Sequence, residues 1–350
     1  MNVDNIMRPL TTPVLLIVFN RPKTTRAVMA SIRKVKPTKL YIAADGPREN
    51  VAEDIEKCRQ AREIASQVDW DCVVTKLFRE ENLGCGKGPS SAMSWFFEQE
   101  EEGIILEDDC QPSTSFFFFC AELLERYRYD YRIMQIGGTN FENEKVRGKD
   151  SYFFSSLVYI WGWATWRRAW KLFDYEMGHF NEITMKRYLD GHFDFDYEVE
   201  YFNYIFEKMH TGDEQTSRRT VWDFQWQFAC KINSGLTIVP GKNLVKNLGF
   251  GIGATNTRDS DGAGHDLKLE EMEFPLMHPE FIMVNKKRDH RYFNKVCSSR
   301  WSRIKWSLKH YIPKPIFEPV KQMFKTLRLA IFGKRGESLT PHTHMVGNRP

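Results

Sequence analysis

Hydrophobic and polar residues alternate along the first half of the chain in blocks that fit buried strands separated by helices. Four apolar runs have the length and composition of buried parallel strands: Pro13–Phe19, Lys39–Ala44, Cys72–Phe78 and Gly103–Leu106. Helical patterns follow the first three runs, beginning at Pro22 and covering Val51–Gln67 and Ser90–Glu101. Repeated βα units of this size predict a mostly parallel sheet flanked by helices.

The second half of the chain is richer in aromatic residues and less regular. Phe195–His210 carries apolar residues at helical spacing, and a second helix is predicted over Thr220–Asn233. A short strand is predicted over Gly235–Pro240, and Lys246–Gly264 is a glycine-rich loop. Beyond about residue 296, two further segments have amphipathic helical patterns.

Polar clusters follow the predicted strands, at residues 20–21, 45–48, 79–87 and 107–109. In open parallel sheets, ligands bind outside the carboxyl ends of the strands. We therefore expect these separated segments to meet at one edge of the sheet and to form a single ligand site there.

Glu107, Asp108 and Asp109 form a run of three carboxylates at the end of the fourth predicted strand. Their mutual repulsion costs stability unless a cation or hydrogen-bond donors compensate. Hard divalent cations take oxygen ligands, and Mg²⁺ usually uses one or two carboxylates together with substrate phosphates. The triplet therefore predicts a Mg²⁺ or Mn²⁺ site that bridges to a diphosphate. A solvated acidic turn is the alternative.

Several groups are suited to a phosphorylated nucleoside. Asp45 can accept a hydrogen bond from a base or a ribose hydroxyl. Basic side chains that could offset phosphate charge are Arg21, Arg48, Arg79 and Lys87. The segment Asn82–Gly88 precedes a predicted helix, where backbone N–H groups and the helix dipole favour anions. For each arginine a surface salt bridge is the alternative.

The sequence contains none of three common nucleotide-binding, zinc-binding or redox motifs. Lys87 is followed by Gly88 rather than Ser or Thr, so the glycine-rich segment is not a Walker A motif. No GxGxxG follows the first strand, which argues against a dinucleotide site. The seven cysteines are scattered and form no CxxC pair, so they predict reduced thiols rather than a zinc or redox motif.

Charge is distributed unevenly along the chain. The 350 residues carry a net charge of +4, yet residues 286–335 hold 15 Lys/Arg against Asp289 and Glu318, a net charge of +13. Basic segments with a Trp/Phe/Leu face are typical of helices that lie on anionic membranes. A solvated helix packed on the body is the alternative. The tail has no recognisable nucleic-acid motif, so no nucleic-acid partner is expected.

The sequence shows no obvious targeting or membrane-spanning segment. The first residues, MNVDNIMRPLTTP, contain no apolar h-region, and no apolar run reaches the roughly 20 residues of a spanning helix. We therefore expect a cytoplasmic protein that is peripheral on the inner face of the plasma membrane.

Four segments in this order resemble GT-A-fold glycosyltransferases: FNRP (19–22), ADGPR (44–48), ENLGCGKG (81–88) and EDD (107–109). ENLG followed by a small-residue helix is similar to the large family of processive and non-processive inverting transferases. The EDD triplet resembles the inverting N-acetylglucosaminyltransferase that initiates complex N-glycans. Three later segments look like a bacterial branch that combines these features: WGWATWRRAWK (161–171), VWDFQW (221–226) and KNLGFGIGATNT (246–257). The resemblance covers about residues 12–260.

The resemblance implies a GT-A, Rossmann-like α/β fold and a metal-dependent, inverting sugar transfer. The donor would be a nucleotide diphosphate sugar, with a UDP-sugar expected, and the acceptor a glycan or a lipid-linked glycan. Residues 1–150 would form the nucleotide-sugar half, 151–285 the acceptor and catalytic half, and 286–350 a basic amphipathic tail.

The resemblance also implies roles for individual residues. Asp109 would bind the metal, Asp108 the metal or the ribose, and Glu107 the donor sugar. The nucleotide-sugar site would comprise Phe19, Asn20, Arg21, Asp45, Arg48, Arg79, Asn82, Gly84, Lys87, Glu107 and Asp108. The chain departs from the best-known members because it lacks a membrane anchor and a late metal-ligand histidine, for which His265 is a poor substitute.

Asp223 matches the catalytic base of this resemblance and also has a physical case. Inverting transfer needs a carboxylate that deprotonates the acceptor hydroxyl. Asp223 lies between Trp222 and Phe224, and apolar neighbours raise the pKa of a carboxylate and strengthen it as a base. An aspartate that offsets a helix dipole is the alternative, and Asp213 and Glu214 are competing candidates.

The segment Trp161-Gly162-Trp163 predicts an acceptor platform, because tryptophan rings stack on sugars and glycine permits close approach. A core cluster is the alternative. Two rival functions also remain open. A nucleotidyltransferase would need a GGxGTR-type loop where the chain has Phe19–Pro22, and a non-catalytic protein would bind nucleotide sugars at the membrane surface.

Overall fold

The computed structural model describes residues 9–142, 148–212, 221–249 and 267–298, together with Arg303 and Trp306. Within these residues the strands are β1 (Val14–Val18), β2 (Lys39–Ala44), β3 (Val73–Phe78), β4 (Glu102–Glu107), β5 (Cys110–Pro112), β6 (Ile133–Gly137), β7 (Tyr152–Ser155), β8 (Trp163–Trp166), β9 (Leu236–Pro240) and β10 (Val245–Asn247). The helices are α1 (Pro22–Val35), α2 (Ala52–Ala65), α3 (Gly84–Gln99), α4 (Thr114–Arg126), α5 (Arg167–Trp170), α6 (Glu182–Asp190), α7 (Asp196–His210), α8 (Asp223–Ile232) and α9 (Lys286–Tyr292), which continues into a π-helical turn at Phe293–Cys297.

Eight strands form one sheet in the order β3-β2-β1-β4-β8-β6-β9-β7. The four strands β3, β2, β1 and β4 are mutually parallel, as is the pair β6–β9, whereas β8 and β7 run antiparallel to their neighbours. Six of the eight strands therefore point the same way. The predicted mixed, mostly parallel α/β sheet is confirmed.

The elements predicted for the first half agree with the structure in type and order. The apolar run of β1 is almost wholly buried, as expected for a central strand covered on both faces. β4 includes Glu107, so the first acid of the triplet is still part of the strand. The largest difference concerns α3, which begins at Gly84, six residues before the predicted start at Ser90.

A second, two-stranded sheet pairs β5 with β10 in antiparallel fashion. β5 directly follows the acidic triplet, and its Cys110 lies opposite Asn247 of β10. This pairing returns the chain after β10 to the carboxyl edge of β4. Strands from before and after residue 150 thus contribute to the same sheets. The expected boundaries between chain regions at residues 150 and 285 stay a prediction.

The helix α9 is tied to the body through the buried carboxylate of Asp289. Its oxygens accept hydrogen bonds from the Ser155 hydroxyl (2.7 Å) and from the Ser156 hydroxyl and backbone N–H (2.8 Å each). Lys231 of α8 donates to the Ser156 hydroxyl at 2.9 Å. Burial lowers the pKa of Lys231 to about 8, although the negative charge of Asp289 acts to raise it. The network joins β7, α8 and α9.

The start of the basic region is therefore packed against the body. The two amphipathic segments predicted after residue 296 lie outside the described residues, apart from Arg303 and Trp306. Trp306 donates to the Glu200 carboxylate at 2.7 Å. Among the helices of the described residues, none combines the length and the apolar composition needed to cross a bilayer.

Candidate active site

The ends of β1 and β4 meet at the acidic triplet, because these two strands are direct neighbours. Asp108 accepts a hydrogen bond from the backbone N–H of Phe19 at 2.9 Å. One guanidinium nitrogen of Arg21 contacts Asp108 at 3.2 Å and Asp109 at 2.7 Å. The segment after β1 and the triplet after β4 therefore form one cluster, as the strand order requires.

The charges in this cluster do not balance. Burial raises the pKa of Glu107, and the negative charges of Asp109 and Asp108 raise it further. Burial also raises the pKa of Asp108, against the charge of Arg21. Burial alone would lower the pKa of Arg21, but Asp109 and Asp108 raise it well above its ordinary value. Three acids beside one guanidinium form a site that favours a further cation.

The segment after β10 closes over Asp109. The backbone N–H of Leu248 donates to the carbonyl oxygen of Asp109 at 2.7 Å. A β-carbon on Gly249 would lie 2.3 Å from the Asp109 carboxylate and 3.0 Å from the Asn247 side-chain oxygen. Both oxygens therefore border one narrow space that only glycine leaves open. Asn247 and Gly249 lie in the segment Lys246–Gly249, and no role was predicted for either residue.

The chemistry of this space fits a hard divalent cation. It offers carboxylate and amide oxygens and an excess of negative charge, which are the preferences of Mg²⁺ and Mn²⁺. Among the described residues, no three His, Cys, Asp or Glu side chains form a complete cation site. A cation here would therefore take further oxygen ligands from water or from a bound phosphate in addition to Asp109.

Asp54 lies on the other side of β1 and was not predicted as a site residue. Its buried carboxylate contacts two residues that were predicted, Arg48 and Asn20. Asp54 of α2 has no exposed surface and forms a two-pronged ion pair with Arg48, at 2.6 and 3.1 Å. The Asn20 amide donates to the same carboxylate at 2.7 Å. Asp54 thus ties the end of β1 to the loop after β2. Its position in a charged, mostly exposed helix gave no signal of this role.

Asp45 has a structural role at the start of α3. Its carboxylate accepts hydrogen bonds from the backbone N–H groups of Leu83 (2.9 and 3.0 Å) and Gly84 (3.0 Å). This explains why the helix starts within the glycine-rich segment. It also corrects the expectation that these amides bind phosphate, since an anion from the protein already occupies them. Burial raises the pKa of Asp45, which these hydrogen bonds and Arg79 oppose.

The other predicted nucleotide residues lie along the same edge. Asn82 donates to the Gly46 carbonyl at 2.8 Å, and Arg79 donates to the Ser91 hydroxyl at 2.9 Å. Gly84 has a φ of +74°, which favours glycine at this position. Lys87 is exposed. The edge therefore brings together the ends of β1, β2, β3 and β4, as predicted.

An open groove of about 370 Å³ borders this edge between α2 and the end of β3. Arg62 lies in its wall and donates to the backbone carbonyls of Asp45 and Arg79. Its guanidinium lies 5.2 Å from the centre of the Phe78 ring, which also lines the groove. The groove has the volume of a small-molecule pocket.

Asp223 is the first residue of α8 and is only 2% exposed. Within the described part of the chain, neither of its carboxylate oxygens has a hydrogen-bond partner. Burial raises its pKa to about 7, whereas the backbone N–H groups of Asp223 and Phe224 act to lower it. The carboxylate borders a cavity of about 10 Å³, lined also by Trp161 and Tyr292. This is room for about one water molecule or one hydroxyl group.

Asp223 lies in the same region as the acidic triplet. The ring of the preceding residue, Trp222, stacks on Trp163 of β8, and Trp163 pairs with Ile105 of β4, two residues before Glu107. Tyr292 of α9 lines the same cavity as Asp223. Burial raises the pKa values of Tyr292, Tyr201 of α7 and Cys297 of the π-helical turn, and the charge of Asp223 raises them further. A base-like carboxylate and the candidate cation space thus lie in the same region of the molecule.

The structure corrects the expected tryptophan platform. Trp161 is 4% exposed and Trp163 1% exposed, so neither ring offers an open face. Trp163 starts the central strand β8 and stacks on Trp222 with ring centres 5.6 Å apart. Gly162 has a φ of +61°, and a β-carbon there would approach Val245 to 2.8 Å. This glycine permits close packing of β10 instead of an approaching sugar.

Three alternative candidates, Asp213, Glu214 and His265, lie outside the described residues.

No known protein family matches the sequence, and no characterised protein matches it either. The solved structures similar to this chain include UDP-glucose pyrophosphorylase complexed with UDP-glucose, at 10% identity and a TM-score of 0.23 over 41% of this chain and 62% of that chain. Mouse xyloside xylosyltransferase 1 in its apo form is similar at 14% identity and a TM-score of 0.31, over 63% of this chain and 81% of that chain. The chain thus spans less than two thirds of the pyrophosphorylase. Both similarities are too weak to assign an activity.

Proposed function

We propose that the chain is a metal-assisted, inverting glycosyltransferase that moves a sugar from a nucleotide diphosphate sugar to an acceptor hydroxyl. The proposal rests on one observation: the acidic triplet and the carboxylate of Asp223 lie in the same region of the molecule. The buried acids Asp108 and Asp109, which share the single guanidinium of Arg21, lie at the end of β4. Asp223, a buried carboxylate without a hydrogen-bond partner in the described chain, lies next to Trp222, which packs against β8 beside β4. Such a carboxylate is costly for stability, which favours a role in chemistry.

The donor would lie along the carboxyl edge of β1 to β4. Its nucleoside would occupy the groove beside Asp45, Arg62 and Phe78, where an aromatic ring and backbone polar groups are available. A UDP-sugar is the donor we would test first. Its diphosphate would lie between Arg21 and Asp109, since a guanidinium and a cation together can offset phosphate charge. Arg21 would then exchange part of its carboxylate contact for phosphate oxygens.

Asp109, with Asn247 beside it, would hold the Mg²⁺ or Mn²⁺ ion, with Asp108 fixing the position of Arg21. The ion would stabilise the negative charge that develops on the leaving diphosphate. Glu107, at the end of β4, would face the donor sugar.

Asp223 would act as the general base. Its raised pKa of about 7 makes it a stronger proton acceptor than an ordinary aspartate, and it is ionised above that pH. The adjoining cavity is wide enough for the oxygen of one hydroxyl group. The acceptor we propose is a glycan or a lipid-linked glycan, one hydroxyl of which would enter this space.

A nucleotide-sugar panel with Mn²⁺ tests the proposal. A true donor at a hundredfold excess over its dissociation constant should stabilise the protein by about 2.7 kcal/mol. Nucleoside diphosphate release should then require metal and should fall in Asp109→Asn and Asp223→Asn. Pyrophosphate-dependent formation of nucleoside triphosphate would instead show a nucleotidyltransferase. Donor binding without any turnover of wild type would show a non-catalytic nucleotide-sugar protein.

A further inference from the structure

An extended segment just before α9 presents large apolar side chains to solvent. Met277 is 60% exposed, Phe281 63% and Met283 69%. In contrast, Ile282 and Val284 are partly buried, and Val284 forms a parallel β-bridge to β7 at the edge of the sheet. This alternation is that of a strand with one row of side chains inward and one outward. Clusters of exposed apolar side chains of this kind mark interaction sites.

Basic residues follow this outward row directly. Lys286, Lys287 and Arg291 are exposed on α9, and Lys295 is exposed on the π-helical turn. Lys286 pairs with Asp194 and Arg291 pairs with Glu142, each at 2.7 Å, and the two basic side chains are about half exposed. Further along the sequence, the region 286–335 carries 15 Lys/Arg and only two acids.

We propose that Met277, Phe281 and Met283 form a membrane-docking edge that inserts into the headgroup region of an anionic bilayer. Apolar side chains beside a dense positive charge are the combination that binds such surfaces. The basic residues draw the protein to anionic lipid, each by about fivefold in partition. The apolar row then adds binding that salt does not screen. Glu280 lies within the segment and weakens the attraction.

An anionic bilayer fits this edge better than an ordinary protein partner. The region that follows the apolar row, residues 286–335, carries 15 Lys/Arg against two acids, and lipid headgroups offer the matching charge without a specific pattern. The docking edge is separate from the proposed catalytic residues. Binding can therefore be measured without donor or acceptor, and its outcome does not depend on the proposed transfer.

The experiment is vesicle sedimentation of the full-length protein. The vesicles contain phosphatidylglycerol and phosphatidylcholine in equal parts, or phosphatidylcholine alone. The test variant is Phe281→Ser combined with Met283→Ser. The matched control is Tyr129→Ser combined with Val73→Ser, since these residues are 84% and 65% exposed and lie outside the segment and outside the proposed donor site. Melting temperatures within 2 °C of wild type confirm that all variants are folded.

We expect wild type and the control to sediment with the anionic vesicles, and the test variant to lose at least tenfold in partition. Unchanged partition of the test variant would overturn the proposal, because binding would then come from the basic region alone. Equal losses in the test and control variants would also overturn it, as would failure of wild type to bind the anionic vesicles. The glycine-rich, catalytic and metal residues are intact in every variant.

Discussion

Replacing Asp223 with asparagine should stabilise the protein and abolish its activity. Burial raises the pKa of this carboxylate from an ordinary 3.8 to about 7 in the folded protein. The unfolded chain therefore releases its proton at lower pH than the folded protein does. Between these two pKa values the folded state binds more protons, so the free energy of unfolding falls as pH rises through this window.

The size of the effect follows from the two pKa values. At 1.36 kcal/mol per pKa unit, the raised pKa of this carboxyl costs the folded protein roughly 4 kcal/mol at pH 8 and roughly 2 kcal/mol at pH 5. Asparagine has nearly the same shape and does not ionise. Its own burial cost is independent of pH, so the gain in stability should be larger at pH 8 than at pH 5 by roughly 2 kcal/mol.

Urea unfolding of wild type and Asp223→Asn at both pH values measures this difference, and sugar transfer by the same samples measures the function. Turnover should fall by about 10²–10⁴-fold, the usual contribution of a general base. Asp71→Asn is the matched control, because Asp71 is an exposed aspartate outside the site. Loss of stability on substitution, equal at both pH values, would refute the reasoning. It would identify Asp223 as an aspartate that only offsets the helix dipole.

Three further predictions follow from the same contacts. The kcat/KM for transfer should fall tenfold per pH unit below about pH 7 as Asp223 takes up a proton; a pH–rate profile flat from pH 5 to 8 would contradict this. Gly249→Ala should lower turnover at least tenfold because its methyl group would come within 2.3 Å of the Asp109 carboxylate, whereas Gly191→Ala, with 3.6 Å to its nearest neighbour, should be active. Asp54→Asn should lower the free energy of unfolding by about 1–3 kcal/mol, read from urea midpoints, because Arg48 loses its charged partner.

The sheet and the polar edge at its strand ends could be predicted from sequence because each depends on local patterns. Continuous apolar runs such as β1 identify buried parallel strands, and strand ends in such a sheet meet at one edge. The contact of Arg21 with Asp108 and Asp109 follows from that topology. The helical pattern around Asp223 was equally local, and the predicted helix is present as α8.

The remaining features depend on contacts between distant segments. Asp45 caps α3 from 38 residues away, and Asp54 reaches from an exposed-looking helix to Arg48 and Asn20. Nothing in either local sequence indicates these partners. Trp163 was predicted to contact a sugar but is buried in the core. A tryptophan beside glycine has the same local sequence pattern in a core strand and in a sugar-binding surface, so the sequence alone could not separate the two.

A crystal structure of the protein with UDP and Mn²⁺ tests the central claim most directly. We predict that the diphosphate lies between Arg21 and Asp109 and that an Asp109 carboxylate oxygen is a direct ligand of the ion. In Asp109→Asn the affinity for UDP with Mn²⁺ should fall at least tenfold. UDP bound away from the ends of β1 and β4, or bound equally well by Asp109→Asn, would contradict the account.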